Sequence, residues 1–269
     1  MGKFLITIFG HSGFIGTNLK NFCLKDKIKI FLPKKNQYKF KKNLGHIIYC
    51  IGTGEAKNDP LKAVRTNFEI LKEILDNNKF KSLTYFSTTR VYLHNKNTSE
   101  EDKIINDLSD DSILFSLIKL SAEKLCLNIK KKNIRVIRLT NIYGHHFTKQ
   151  LYLLPALIRG AKKDKKIKIT INKNSLKNYL HIDEAIPIIL KISTIGKDRI
   201  YNLAGKKRYK FIDVATKIQK KTKCKIFLSN QKKTLNDPII NIDKIIKEFK
   251  FNPKRNLLED LDEIISNCN

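Results

Sequence analysis

The join between the first apolar run and the glycine-spaced segment after it constrains this chain more than any other feature. Residues 4–10, FLITIFG, read as a buried strand. Gly10, Gly13 and Gly16 come next, three residues apart, as an apolar-periodic helix begins over 13–25. Such a turn needs glycine for three reasons: a sharp reversal, close approach of backbone to a pyrophosphate, and tight packing of helix on strand. The helix N-terminus then offers free N–H groups and a positive dipole end to a phosphate. The spacing is not the G-x-G-x-x-G form, so three glycines alone are weak evidence. Their place directly after the first strand, in an alternating pattern, points to dinucleotide binding through Gly10, Ser12, Gly13, Phe14, Ile15 and Gly16.

Strands are predicted at 28–32, 46–52, 82–88 and 134–140, with amphipathic helices at 59–78 and 112–132. Near-continuous apolar strands between helices predict a parallel sheet covered on both faces. After Tyr143 the rhythm changes. Helices are expected over 151–163 and 180–193, strands over 166–171 and 200–205, and a mostly helical stretch to the C-terminus. No repeat or low-complexity linker interrupts the pattern.

The second predicted strand runs into PKKNQ with no acidic residue to hold a ribose 2′-hydroxyl. Lys34 and Lys35 there can pair with a 2′-phosphate, which favours NADP over NAD. The bland alternative is that they are two more lysines in a chain rich in them.

The 269 residues carry a formal charge of +29, from 46 lysines and only eight arginines against 25 acids. The lysines are spread along the whole chain beside many isoleucines and asparagines, which reads as compositional drift. A nucleic-acid surface more often clusters arginine and aromatic residues on one face, so that partner is not expected. A basic surface also attracts anionic metabolites. No apolar run approaches the roughly 20 residues that cross a bilayer. The five cysteines are scattered with no C-x-x-C, which favours reduced thiols in a cytoplasm over disulfides or a metal site.

Taken in order, the segments GHSGFIG (10–16), HIIYCIGTG (46–54), DPLKAVRTNFEILKEIL (59–75), FSTTRVY (86–92), FSLIKLSAEKL (115–125), RLTNIYG (138–144), NYLHIDEA (178–185), IYNLAG (200–205) and NIDKIIKEFKFNP (241–253) resemble the extended short-chain dehydrogenase/reductases of the NAD-dependent epimerase/dehydratase group. The resemblance covers nearly the whole chain. It implies an α/β fold, a Rossmann-type doubly wound parallel sheet with a smaller C-terminal α/β substrate lobe. The dinucleotide-binding domain would take residues 1–144 plus about 177–205, and the substrate-binding lobe about 145–176 plus 206–269. It implies NADP or NAD as cofactor and a nucleotide sugar as substrate, in surface-polysaccharide precursor synthesis. Ile51, Gly52 and Thr53 would pass beside the nicotinamide, Asn67 would be the buried asparagine, and Lys119 would hold the cofactor ribose. Thr88 falls at the Ser/Thr position that polarises the reacting oxygen. Thr89, Asn141, His145 and His146 would face the substrate. The helices over 59–78 and 112–132 would form a four-helix homodimer contact.

One departure bears on the chemistry. The family's general acid/base is a tyrosine phenol, and that position is Phe115. Tyr38/Lys42 and Tyr92/Lys96 repeat the Y-x-x-x-K spacing but fall in predicted loops. Thr88-Thr89-Arg90 replaces the acidic run of dehydratases, and Lys177-Asn178 replaces an Arg-Asp pair. His146 matches a histidine acid of the GDP-4-keto-6-deoxymannose epimerase/reductase branch, although Arg90 stands where that branch has its partner cysteine. Two adjacent histidines in a polar loop can equally be solvated. Ketosugar reduction is favoured, because it needs one proton delivered, whereas oxidising an alcohol depends more on a phenolate. The alternatives are a catalytically impaired dinucleotide or nucleotide-sugar binding protein and, more weakly, a nucleic-acid binder. His181 and Asp183 are expected to tie the lobes together, and the His11 ring to face solvent.

Overall fold

The structure is a computed structural model and describes residues 4–110, 112–130, 133–144, 153–228 and 234–267. In chain order its elements are β1 (Leu5–Phe9), α1 (Phe14–Lys25), β2 (Lys29–Phe31), β3 (His46–Tyr49), α2 (Pro60–Val64), α3 (Ile70–Asn77), β4 (Ser82–Thr88), α4 (Ile113–Asn128), β5 (Asn133–Leu139) and β6 (Asn141–Tyr143). They continue with α5 (Leu153–Lys163), β7 (Lys166–Ile169), β8 (Leu176–His181), α6 (Ile182–Ile195), β9 (Ile200–Leu203), β10 (Arg208–Lys210), α7 (Phe211–Thr222), β11 (Lys225–Leu228), α8 (Asp243–Phe249) and α9 (Leu257–Asn267).

The main sheet has the order β2-β1-β3-β4-β5-β9, and every pairing in it is parallel. The strands alternate their apolar side chains between two helical layers. Ile6, Ile8, Ile48, Phe86 and Ile137 pack with Leu19 and Cys23 of α1 and Ile186 and Ile189 of α6. Phe9, Ile47, Tyr49, Leu83, Tyr85 and Val136 pack with Ile70, Ile74 and Leu75 of α3 and Ala122 and Cys126 of α4. Both faces are dry, which is why the strands read as unbroken apolar runs. The chain steps from β1 to β2 on one side and then crosses to β3 on the other. That reversal opens a crevice beyond the strand C-termini, the usual binding position in such sheets.

β7 falls within the strand predicted over 166–171, but the pairing of the two smaller sheets is not legible in the sequence pattern. β8 lies between β10 and β6, and β7 pairs with β11. Residues 180 and 181, predicted as the start of a helix, end strand β8 instead; His181 caps α6 by accepting from the Asp183 N–H at 3.2 Å. The helix predicted over 59–78 is divided by a π-helical stretch, Arg65–Glu69, centred on Asn67. Asn67 Nδ2 bonds back to the Ala63 carbonyl at 2.9 Å, and such bulges often mark functional positions.

Candidate functional site

A cavity of about 480 Å³ lies beyond the C-terminal ends of the central strands. Its first wall is the glycine turn. Gly10 has φ of +79°, and a Cβ there would lie 2.8 Å from the Cys50 carbonyl carbon. A Cβ on Gly16 would lie 2.8 Å from His11 Cα and closer still to the Gly10 carbonyl oxygen. Gly10 therefore holds the turn against the end of β3, Gly16 holds α1 against the turn, and neither lines the cavity. Gly13, Phe14 and Ile15 do line it. Gly13 is the N-cap of α1 and supplies no side-chain cap, its own N–H donating to the Gly10 carbonyl at 3.0 Å, so the positive end of the helix faces the cavity. Ser12 is exposed beside them and outside the lining. Lys34 and Lys35 are also exposed and outside the lining. The His11 ring does not simply face solvent: its Nε2 lies 3.2 Å from the Pro33 carbonyl, which ties the turn to the chain just before those lysines.

The second wall follows β3. Ile51, Gly52 and Thr53 line the cavity. Asn67 is wholly buried behind them, with both amide protons used on the Thr53 and Ala63 carbonyls at 2.9 Å. Among the described residues its Oδ1 has no partner. A Cβ on Gly52 would come within 2.6 Å of that oxygen, so glycine keeps the approach to it open.

The floor is built by α4 and the end of β4. Lys119 is 7% exposed, not the surface lysine a polar helix would carry. Its Nζ donates to the Phe86 carbonyl at 2.8 Å and stands 4.9 Å over the Tyr85 ring. Burial pulls its pKa down to about 7, partly opposed by the charge of Glu123 one turn on. Glu123 is itself buried and paired with Arg138 at 2.7 Å, and Arg138 also donates to the Tyr92 hydroxyl. That hydroxyl stands within hydrogen-bond reach of two acceptors, the Ser99 carbonyl and Asn202 Oδ1, so Tyr92 serves the fold and is no replacement phenol. Tyr38 is likewise remote from the cavity. Phe115, Thr88 and Thr89 all line it. Phe115 packs on Ala56, Ala63 and Ile118. Thr88 Oγ1 accepts from the Arg90 N–H at 3.2 Å.

The far wall comes from the smaller sheets. Asn141 Nδ2 donates to the Asn178 carbonyl at 2.8 Å and to Asp237 Oδ2 at 3.1 Å. Lys177 Nζ pairs with Asp237 Oδ1 at 2.9 Å. Asp237 and the buried, unpartnered Ser87 hydroxyl, both lining the cavity, were missed by sequence reasoning. Ser87 adjoins a motif residue and could have been found; Asp237 sits in an aperiodic segment that offers no signal. His145 and His146 lie outside the described residues. His181 is buried, contacts Arg255 at 3.3 Å and lies edge-on to Tyr143, whose hydroxyl donates to Asp260 of α9 at 2.7 Å. His181 thus joins β8 to the C-terminal segment; Asp183 stands at the start of α6, its carboxylate 60% exposed.

Among the described residues, no three metal-ligating side chains come together, and no helix is long and apolar enough to cross a membrane. The donor set fits a dinucleotide: an uncapped helix N-terminus behind a glycine turn, an orphaned acceptor at Asn67, and a buried amine at Lys119.

A family model described as the NAD dependent epimerase/dehydratase family matches residues 40–204. No curated protein sequence matches the chain. Among solved structures, RMD from Pseudomonas aeruginosa complexed with NADPH has a TM-score of 0.83 at 16% identity, over 98% of both chains. UDP-glucuronic acid 4-epimerase from Bacillus cereus, in complex with UDP-glucuronic acid and NAD, has a TM-score of 0.80 at 17% identity, again over 98% of both chains. dTDP-glucose 4,6-dehydratase from Bacillus anthracis in complex with NAD has a TM-score of 0.78 at 19% identity, over 98% of this chain and 96% of that one. Likeness at these identities carries the fold.

Proposed function

We propose that this chain, which belongs to the NAD-dependent epimerase/dehydratase family, is an NAD(P)-dependent enzyme acting on a nucleotide sugar, with reduction of a ketosugar the favoured reaction. The observation that carries this reading is the single cavity that gathers the α1 N-terminus, the buried amine of Lys119 and the hydroxyl of Thr88. The dinucleotides and nucleotide sugars named for the Pseudomonas and Bacillus structures support it.

In this reading the α1 N-terminus at Gly13, Phe14 and Ile15 lies against the dinucleotide phosphates, and Ile51 to Thr53 with Asn67 flank its far end. Lys119 holds the cofactor ribose. When bound, the nicotinamide supplies hydride chemistry. Thr88 binds the carbonyl oxygen of the sugar, and Thr89 and Asn141 line its pocket. The proton that completes reduction comes from water or from His146, because Phe115 has no hydroxyl. Lys34 and Lys35 favour NADP over NAD. The glycine turn and main sheet serve as the cofactor domain and the C-terminal elements as the substrate lobe. The enzyme would work in the cytoplasm, as a homodimer through α2, α3 and α4, in polysaccharide precursor synthesis.

The phenyl ring of Phe115 in the cavity favours one second reading, a protein that binds the dinucleotide without turnover. Thermal shift with NADPH and NADH, alone and with UDP-, GDP-, CDP- and dTDP-sugars, tests binding. Nicotinamide absorbance with 4-keto sugar nucleotides tests turnover. Binding with turnover supports the enzyme, binding without turnover supports the second reading, and absence of dinucleotide binding removes both.

A further inference from the structure

We infer that Arg90 selects a substrate whose sugar carries its own negative charge, such as the carboxylate of a nucleoside-diphosphate hexuronate. The inference rests on the nucleotide-sugar reading above and names the substrate class within it.

Arg90 stands two residues beyond Thr88, in the turn Thr89–Tyr92 that closes β4, and is one of the residues that line the cavity. The turn is fixed at its entry by the bond from the Arg90 N–H to Thr88 Oγ1. The guanidinium is braced by one neutral oxygen, Ser112 Oγ, at 2.9 Å. Ser112 is held in turn by its bond to Asp110 Oδ1 at 2.8 Å. Asp110 feels the charge of Arg90, but among the described residues no carboxylate forms an ion pair with it. A guanidinium has five donors in a planar fork, and a carboxylate fits that fork bidentately.

The other charges around the cavity are already engaged. Lys177 is paired with Asp237, whose Oδ2 also accepts from Asn141 and the Asn178 N–H. Lys119 bonds the Phe86 carbonyl and is assigned to the cofactor ribose. Arg90 is left as the cation of this cavity with neither a counter-charge nor an assigned role among the described residues, two positions along the chain from the hydroxyl assigned to the sugar. A diphosphate could also answer a guanidinium, so the test holds the diphosphate constant.

The full chain, loaded with NADPH, is titrated calorimetrically with UDP-glucose and UDP-glucuronate, and with GDP-mannose and GDP-mannuronate. In at least one pair the uronate is expected to bind roughly tenfold tighter or more, and Arg90→Gln to bring the two within about twofold. Arg90→Glu is expected to reverse the order. Arg90 is exposed, so both variants should melt close to the parent, which a thermal scan checks. Equal binding within both pairs, or a preference that survives Arg90→Gln, overturns the inference and leaves the nucleotide-sugar reading standing. Binding of none of the four overturns that reading and the inference with it.

Discussion

Phe115 and Lys119 lie one turn apart on α4, and the ammonium of Lys119 stands 5.8 Å from the centre of the Phe115 ring. Both side chains line the same cavity. Thr88 and the Ser87 hydroxyl, which has no partner among the described residues, line that cavity too. Phe115→Tyr is therefore expected to raise the rate of ketosugar reduction on the order of 10²-fold, the contribution typical of one positioned acid. Single-turnover kinetics followed by nicotinamide absorbance would measure it. An unchanged rate would show that the proton already arrives by a route the phenol does not improve.

The second prediction concerns stability against pH. Burial lowers the pKa of Lys119 from 10.5 to about 7. Between those values the unfolded chain binds more protons than the folded one, so this group makes stability rise with pH through that window. Below about pH 7 the full cost of holding a buried ammonium is present. Lys119→Met should flatten the rise. The comparison is the melting temperature of parent and variant, without cofactor, at about pH 7 and about pH 9.5. Identical pH dependence in the two proteins would contradict the burial of this amine.

Gly16→Ala should damage both fold and binding. The new methyl would meet the backbone of His11 at 2.8 Å, and backbone yields less easily than a side-chain end. A loss of about 1–3 kcal/mol in urea unfolding is expected, with weaker dinucleotide binding in thermal shift. Gly13→Ala is the matched control for stability, because its Cβ would lie 3.4 Å from the nearest atom, the Gly10 oxygen.

Glu123 supports the site from below. Glu123→Leu strands the buried guanidinium of Arg138, a loss of about 3–5 kcal/mol by the usual cost of breaking such a pair. It also removes the charge that raises the Lys119 pKa, so the amine should titrate lower still. Urea unfolding reads the first effect. The pH dependence of Lys119 acetylation by acetic anhydride, located by mass spectrometry, reads the second. Labelling that keeps the parent's midpoint would refute the coupling between these two residues.

Local pattern was enough for one half of the molecule. Continuous apolar strands around regularly spaced glycines specify a parallel sheet and a tight glycine turn, because strand burial and turn geometry are settled by neighbours in sequence. Gly13 could be named as a candidate for the same reason, whereas Thr88, Phe115 and Lys119 could be named only through the resemblance of ordered segments to a known family. Tertiary packing decided the rest. The burial of Lys119, the orphaned oxygen of Asn67 and the pairing of Lys177 with Asp237 each depend on groups brought together from different elements. Asp237 is 60 residues from Lys177 in the chain, and only the packing of the smaller sheet against its segment sets them 2.9 Å apart. Charge and hydrogen-bond energies depend on distance and on the exclusion of water, and residue order along a chain specifies neither.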